Sequence, residues 1–243
     1  MKYTTIILIF GLTLLALPSR SQHTAKLKAT KWFATQVPEP SDICYSAASD
    51  TYFVVSDDGI LFETNPAGEI LRKIAEANCD YEAVYADDNF VYAVDETHRA
   101  IHCYERTTLK CNRIVNVPYQ GGRNAGYEAF TFNKANGTFI LLTEKNPITL
   151  IELDLNFNIK NQMDLSGIAR DISAASFYDG FLWLLSDEDR TVFKLNPLSY
   201  EVIGKWQLPV INPEGFAFDK IGNLVVTCDD MQRIYFFNNP EKN

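Results

Sequence analysis

Glutamate and serine residues recur at the starts of similar short phrases in this sequence. Glu82, Glu128 and Glu214 each precede a small residue and then a larger apolar one, and Ser41 and Ser173 open two corresponding phrases. Carboxylate oxygens are the ligands that Ca²⁺ prefers in proteins. If the fold brings the three glutamates together, they offer a site for a hard cation.

Cysteine and histidine offer a second kind of chemistry. The chain has five cysteines without a CxxC pair, which makes a zinc site a poor interpretation. Cys103 and Cys111 flank a predicted hairpin turn at residues 106–109, so they could face each other and form a disulfide. The equal alternative is free, mostly buried thiols. We interpret His98 and His102 as surface or edge side chains, so a nucleophile–histidine pair is not expected.

The spacing of the phrases predicts the elements that position these residues. The phrases start at residues 41, 82, 128, 173 and 214, so they are 41, 46, 45 and 41 positions apart, about the period of a four-stranded propeller blade. A turn signal such as Asn136-Gly137 follows each phrase, and then an apolar run typical of a strand buried on both faces. We predict an all-β fold, a five-bladed β-propeller of four-stranded antiparallel blades, with repeats starting near residues 39, 80, 126, 171 and 212.

The fifth repeat stops before a fourth strand. Residues 30–37, Thr-Lys-Trp-Phe-Ala-Thr-Gln-Val, resemble residues 204–208, which occupy the fourth-strand position in the repeat before it. We therefore expect an N-terminal strand to complete the last blade, because this closes the ring and removes a free edge. Residues 22–243 would form a single β-propeller domain.

Blade geometry places many acids at one mouth of the ring. The first strand of an antiparallel blade starts at the face where the second strand ends, so the three glutamates share that face with the outer acids Asp57, Asp58, Asp95, Glu96, Glu144, Asp187, Glu188, Asp229 and Asp230. Crowded carboxylates raise each other's pKa values unless a cation neutralises them. We predict a Ca²⁺ site at Glu82, Glu128 and Glu214. The alternative is that the glutamates cap backbone N–H groups and the outer acids form a solvated rim.

Two arginines precede phrases on the same face. Arg123 lies in the loop before Glu128, and Arg170 lies in the loop before Ser173. Together with a metal they could hold a phosphate or a carboxylate. The predicted ligand-binding residues are thus Arg123, Arg170, Asp57, Glu144 and Asp187. The alternative is that the arginines pair with neighbouring acids such as Asp171 or Glu144.

The N-terminus has the layout of a secretory signal peptide. Lys2 precedes an apolar stretch at residues 6–17, and Ser19 and Ser21 stand before Gln22. The stretch is shorter than the ~20 residues that span a bilayer, although an uncleaved anchor helix is the alternative. We predict a signal peptide at residues 1–21 and a periplasmic or secreted protein.

Several segments also resemble a known family. They include Glu39-Pro40-Ser41-Asp42-Ile43, Thr143-Glu144-Lys145-Asn146-Pro147 and Pro213-Glu214-Gly215-Phe216-Ala217, of which the last is shared with NHL-type and lactonase-like propellers. Through these segments the chain resembles the SdiA-regulated, YjiK-like family of bacterial propellers. The resemblance implies an exported five-bladed protein with calcium at the ring mouth and with Glu82, Glu128 and Glu214 on the metal side. The chain departs from the family at Asp42 and Ala174, where glycine is frequent.

Two function hypotheses use the same mouth. The first is a monomeric, non-catalytic, calcium-binding propeller of the cell envelope that presents a surface to a small molecule or a protein. The second is a metal-dependent hydrolase of the lactonase or phosphoesterase type, although no residue stands out as its base. A formal charge of −9 argues against nucleic acid as the main partner.

Overall fold

The computed structural model describes residues 24–118 and 126–242. These residues form 21 β-strands in five sheets and one short 3₁₀ helix, Pro240–Lys242. No helix in these ranges has the length and apolar character needed to cross a membrane. The predicted signal peptide and Arg123 lie outside the described residues.

Each of the five sheets is one blade of a ring, and the fold prediction is confirmed. The N-terminal segment contributes β1 (Ala25–Lys26) and β2 (Ala29–Ala34). Blade one contains β3 (Pro40–Ser46), β4 (Thr51–Ser56), β5 (Ile60–Thr64) and β6 (Ile70–Ala75). Blade two contains β7 (Tyr81–Ala86), β8 (Phe90–Asp95), β9 (Ala100–Glu105) and β10 (Cys111–Asn116). Blade three contains β11 (Tyr127–Asn133), β12 (Thr138–Thr143), β13 (Thr149–Leu153) and β14 (Ile159–Asp164). Blade four contains β15 (Ala174–Tyr178), β16 (Phe181–Ser186), β17 (Thr191–Leu195) and β18 (Val202–Gln207). Blade five contains β19 (Pro213–Phe218), β20 (Leu224–Cys228) and β21 (Arg233–Phe237).

The second strand of each blade is buried on both faces. In β4, Val54 packs in the apolar core between blades one and five, whereas Val55 packs in the core between blades one and two. Alternate side chains of a strand point to opposite faces, so both sets of residues must be apolar. This packing explains the unbroken apolar runs of the sequence.

The N-terminal segment closes the ring. Strand β2 pairs antiparallel with β21, with Ala29 opposite Phe237 and Ala34 opposite Arg233. The prediction that this segment completes blade five is therefore confirmed. Strand β1 was not predicted: it pairs in parallel with β18 and gives blade four a fifth strand. The segment thus holds blades four and five together.

The prediction that Cys103 and Cys111 lie opposite each other is wrong. Cys111 pairs with Tyr104, and Cys103 pairs with Arg113, because a bulge shifts the register of β9 and β10 between Cys111 and Arg113. Cys103 packs in the core between blades two and three, whereas Cys111 packs against the core between blades one and two. The two thiols lie on opposite faces of their blade. All five cysteines fall within the described ranges and are free.

Candidate functional site

Bulges in the first strands set the positions of the three glutamates. Tyr81 and Ala83 pair with adjacent residues of β8, so Glu82 is the extra residue between them. Glu128 is the extra residue at the same place in β11, and the register of β19 shifts around Glu214. A bulge interrupts the regular alternation of a strand and re-aims the side chain that it carries. The sequence motif marks the glutamates, but nothing in it marks the bulges.

Two of the glutamates belong to a compact group of carboxylates. Carboxylate oxygens of Asp80, Glu82 and Glu96 lie within 4.8 Å of one another. The Glu96 side chain accepts a hydrogen bond from the backbone N–H of Gly126 at 3.0 Å and is also hydrogen-bonded to the Glu128 side chain. Glu96 therefore links blade two to blade three. We call Asp80, Glu82, Glu96 and Glu128 the mouth cluster.

The mouth cluster resists full ionisation. Burial, and next the negative charge of Glu128, raise the pKa of Glu82 well above its usual range. Burial and the charge of Glu96 do the same to the pKa of Glu128. Burial also raises the pKa values of Asp80 and Glu96. A bound cation would reverse these shifts, since it favours the ionised form of each carboxyl group.

Glu214 lies in a second group of acids at the same mouth. Burial raises the pKa of Glu214 to about 8, with further contributions from the charges of Asp229, Asp187 and Asp57. Burial and a hydrogen bond with Asp171 raise the pKa of Asp187 to about 7. The charge of Asp57 acts on Glu82 as well as on Glu214, so the two groups share one electrostatic field.

Ion pairs occupy part of the predicted ligand-binding rim. Lys145 Nζ lies 2.5 Å from a Glu144 oxygen and 3.2 Å from a Glu188 oxygen. Arg170 pairs with Asp189 at 2.7 Å and with Glu188 at 3.7 Å. Arg170 thus pairs with neighbouring acids, as the alternative held, although with different acids from those named. Asp57 accepts a hydrogen bond from Ser41 Oγ at 2.5 Å.

Asp95 and His102 are buried, which corrects their interpretation as a rim acid and an edge histidine. Asp95 has no exposed surface, and His102 is 6% exposed. Burial lowers the pKa of His102, and burial and a hydrogen bond with Asp95 raise the pKa of the nearby Cys79 thiol to about 12. A thiol with a raised pKa is not an activated nucleophile. Cys79 is therefore not a candidate nucleophile when no metal is bound.

The other mouth of the ring is a separate cavity of different chemistry. Its volume is about 710 Å³. It lies at the far ends of the first strands, and its aromatic lining includes Tyr45, Tyr85, Phe132, Tyr178 and Phe218. The lining also includes Asp87, Asp88 and Asp219, so this mouth combines aromatic and charged side chains, whereas the first mouth is dominated by carboxylates.

Five blades of four antiparallel strands, one of them extended by β1, surround an acidic mouth and define this chain as a five-bladed β-propeller. The chain belongs to the SdiA-regulated family, whose model matches residues 19–238. The fold is similar to that of glutaminyl cyclase from Myxococcus xanthus, with 12% sequence identity and a TM-score of 0.72 over 88% of this chain and 97% of that one. It is also similar to the β-propeller domain of Cps50 (Swd1) from Myceliophteria thermophila, with 8% identity and a TM-score of 0.57 over 87% of this chain and 99% of that one.

Proposed function

We propose that this protein is an exported calcium-binding β-propeller of the cell envelope that presents a ligand or partner surface at its acidic mouth and is not catalytic. One observation carries the calcium site. Asp80, Glu82 and Glu96 place carboxylate oxygens within 4.8 Å of one another, and Glu96 is hydrogen-bonded to Glu128.

The donor chemistry of the mouth cluster fits a hard cation. Its side chains offer only oxygen, whereas zinc and copper favour nitrogen and sulfur ligands. Ca²⁺ accepts six to eight oxygen ligands in flexible geometry, whereas Mg²⁺ requires a tight octahedron. Glu82 and Glu128 would hold Ca²⁺ together with Asp80 and Glu96. Glu214 would contribute charge from its neighbouring group.

The rim beside the metal would receive the ligand or partner. Lys145 and Arg170 lie among Glu144, Glu188 and Asp189 in a continuous set of partly exposed ion pairs. Ion pairs that reach solvent contribute little to stability, so little free energy opposes their replacement. A carboxylate or phosphate could therefore replace an acid on either cation, next to the bound metal. The charge of Glu188 acts on Asp187, which therefore borders this surface, whereas Asp57 acts on Glu82 and Glu214 from blade one.

Calcium titration of the purified protein tests the metal site. We expect calcium to bind after removal of metals, with an affinity higher than that of magnesium, and to be found by elemental analysis. Glu82→Gln should weaken calcium binding at least tenfold. Asp164→Asn is the control, because Asp164 is exposed and forms its hydrogen bonds with Ser166, and this variant should bind calcium as the parent does. Equal calcium affinity in parent and Glu82→Gln would refute this site.

Activity and export require their own measurements. A panel of lactones, phosphate esters and peptides with an N-terminal glutamine, assayed with and without calcium, should give no turnover. The glutaminyl peptide is included because a glutaminyl cyclase has a similar fold. Turnover that needs metal and is lost in Glu82→Gln would replace the non-catalytic function with the hydrolase or cyclase class.

N-terminal sequencing of the protein from the cell envelope or medium should begin at Gln22.

A further inference from the structure

A second group of possible metal ligands lies in blade two and differs chemically from the mouth cluster. The Sγ atom of Cys79, a carboxylate oxygen of Asp95 and a ring nitrogen of His102 lie within 4.8 Å of one another. Cys79 is half-buried, and the other two residues are buried. Buried polar groups need partners, and these three supply one sulfur, one oxygen and one nitrogen to a common point.

Strand pairing assembles this group from three neighbouring segments. Cys79 precedes β7, Asp95 ends β8, and His102 lies in the middle of β9. The residues next in sequence, Asp80 and Glu96, belong to the mouth cluster. Cys79 and Asp80 are neighbours in sequence, as are Asp95 and Glu96. In each pair the first residue belongs to the mixed group within the blade, and the second belongs to the all-oxygen mouth cluster.

The separation of Asp95 and His102 suits a metal better than a direct hydrogen bond. His102 Nε2 lies 3.8 Å from Asp95 Oδ2, beyond the usual hydrogen-bond distance. Two ligands of a tetrahedral zinc ion, each about 2.1 Å from the metal, are about 3.4 Å apart. A small movement of either side chain would bring both atoms within bonding distance of one ion.

Hydrogen bonds outside the group hold its members in position. The Tyr81 hydroxyl lies 2.9 Å from His102 Nδ1 and 2.6 Å from the Tyr104 hydroxyl. The hydroxyl contact occupies Nδ1 of His102, so the other ring nitrogen, Nε2, faces Asp95 and remains for a metal. His98 Nδ1 lies 2.7 Å from Asp95 Oδ2 and orients that carboxylate. Metal-binding histidines and carboxylates usually have such outer contacts.

We propose that Cys79, Asp95 and His102 bind a divalent transition metal of the zinc type, at a site separate from the calcium site. Thiolate and imidazole ligands select zinc over calcium, and metal binding releases the thiol proton. The side chain of His98 is 54% exposed, and Cys79 is half-buried, so an ion and a water ligand can enter from solvent. Tyr81 is a positioning residue of this site.

Cobalt substitution and zinc analysis test the proposal. The metal-free protein should take up one Zn²⁺ per chain, and Co²⁺ in its place should give a thiolate charge-transfer band in the near ultraviolet. Cys79→Ser should lose that band, and His102→Ala should lose the bound zinc. Tyr81→Phe should retain the band and bind zinc about tenfold more weakly.

Two control variants show whether the cobalt band arises from Cys79 and whether the zinc site is separate from the calcium site. Cys111→Ser removes another half-buried thiol of the same blade and should leave the cobalt band unchanged, and Glu82→Gln should weaken calcium but not zinc binding. If the parent protein shows no thiolate band with Co²⁺, or if Cys79→Ser keeps it, the proposal is wrong. The parent measurement needs no variant, so poor folding of His102→Ala cannot obscure the outcome.

Discussion

The α-carbon of Asp42 lies 2.4 Å from the point that a Cβ on Gly215 would occupy. The backbones of blades one and five therefore meet here without space for a side chain on Gly215. The buried Asp42 carboxylate accepts hydrogen bonds from the backbone N–H groups of Ile43 at 2.8 Å and Val84 at 2.9 Å, and it also bonds to the backbone of Phe216. One side chain thus joins the first strands of blades one, two and five.

Gly215→Ala should destabilise the protein strongly. The new methyl group would meet backbone atoms, which cannot move aside as a flexible side chain can, and we expect a loss of about 3 kcal/mol in the free energy of unfolding. Gly167→Ala is the control, because a Cβ there would have no neighbour within 4 Å. Urea unfolding measures both variants. Equal midpoints for the two would show that blades one and five do not meet as described.

Removing the N-terminal strands in two steps should separate their roles. A chain that starts at residue 27 loses β1, a two-residue strand, but keeps the buried side chain of Leu27, and it should remain folded with a slightly lower melting temperature. A chain that starts at residue 38 also loses β2, which exposes the edge of β21, and should unfold without cooperativity or aggregate. Thermal melting and light scattering measure both. Cooperative melting of the shorter chain near the parent temperature would contradict closure by β2.

The blade number and the ring closure could be predicted from the sequence because the same weak strand and turn signals recur in five repeats. Each phrase and turn is weak by itself, but five copies at one period are typical of a ring of similar blades. The register of β9 and β10 could not be predicted, because the bulge beside Cys111 depends on pairing that no local residue pattern marks. A shift of this kind moves a side chain to the other face of a sheet.

The candidate sites were predicted only in part for a related reason. The repeats identified Glu82 and Glu128, but Asp80 lies two residues before its phrase, outside the part of the repeat from which ligands were predicted. Asp95 and His102 belong to neighbouring strands, and their contact arises from pairing and burial rather than from spacing. The sequence around an acidic residue at the end of a buried strand does not show whether its carboxylate faces solvent or lies next to a histidine.

Without divalent metal, the protein should become less stable as the pH rises. The pKa of Glu214 in the folded protein is about 8 against an ordinary value of 4.5, and those of Glu82 and Glu128 are also raised. Between these values the folded state binds more protons than the unfolded chain, so the free energy of unfolding falls with increasing pH. Each such group contributes at most about 1.4 kcal/mol per pH unit. Urea unfolding in chelator between pH 5 and about pH 8 measures this slope.

Glu214→Gln provides the control for that pH dependence. Glutamine does not titrate, so the variant should show a shallower fall in stability with pH and should be more stable than the parent at the upper end of the range. Asp164→Asn removes an exposed carboxyl group whose pKa is lowered by its hydrogen bonds to Ser166, and it should leave the slope in this range unchanged. A parent protein that gains stability with rising pH in chelator would contradict the assigned environment of these acids.

Glu128→Gln should have opposite effects on stability with and without calcium. In chelator, the substitution removes a buried carboxyl group from the charges of Glu96 and Glu144, so it should preserve or raise the melting temperature. In calcium, the same substitution removes a ligand of the proposed site. Ligand that binds only the folded state stabilises it by about 2.7 kcal/mol at 100 times the dissociation constant, and the variant should lose most of that gain. Differential scanning calorimetry of parent and variant, each in calcium, magnesium and chelator, gives the comparison. A uniform decrease in melting temperature under all three conditions would identify Glu128 as a purely structural residue that caps its strand.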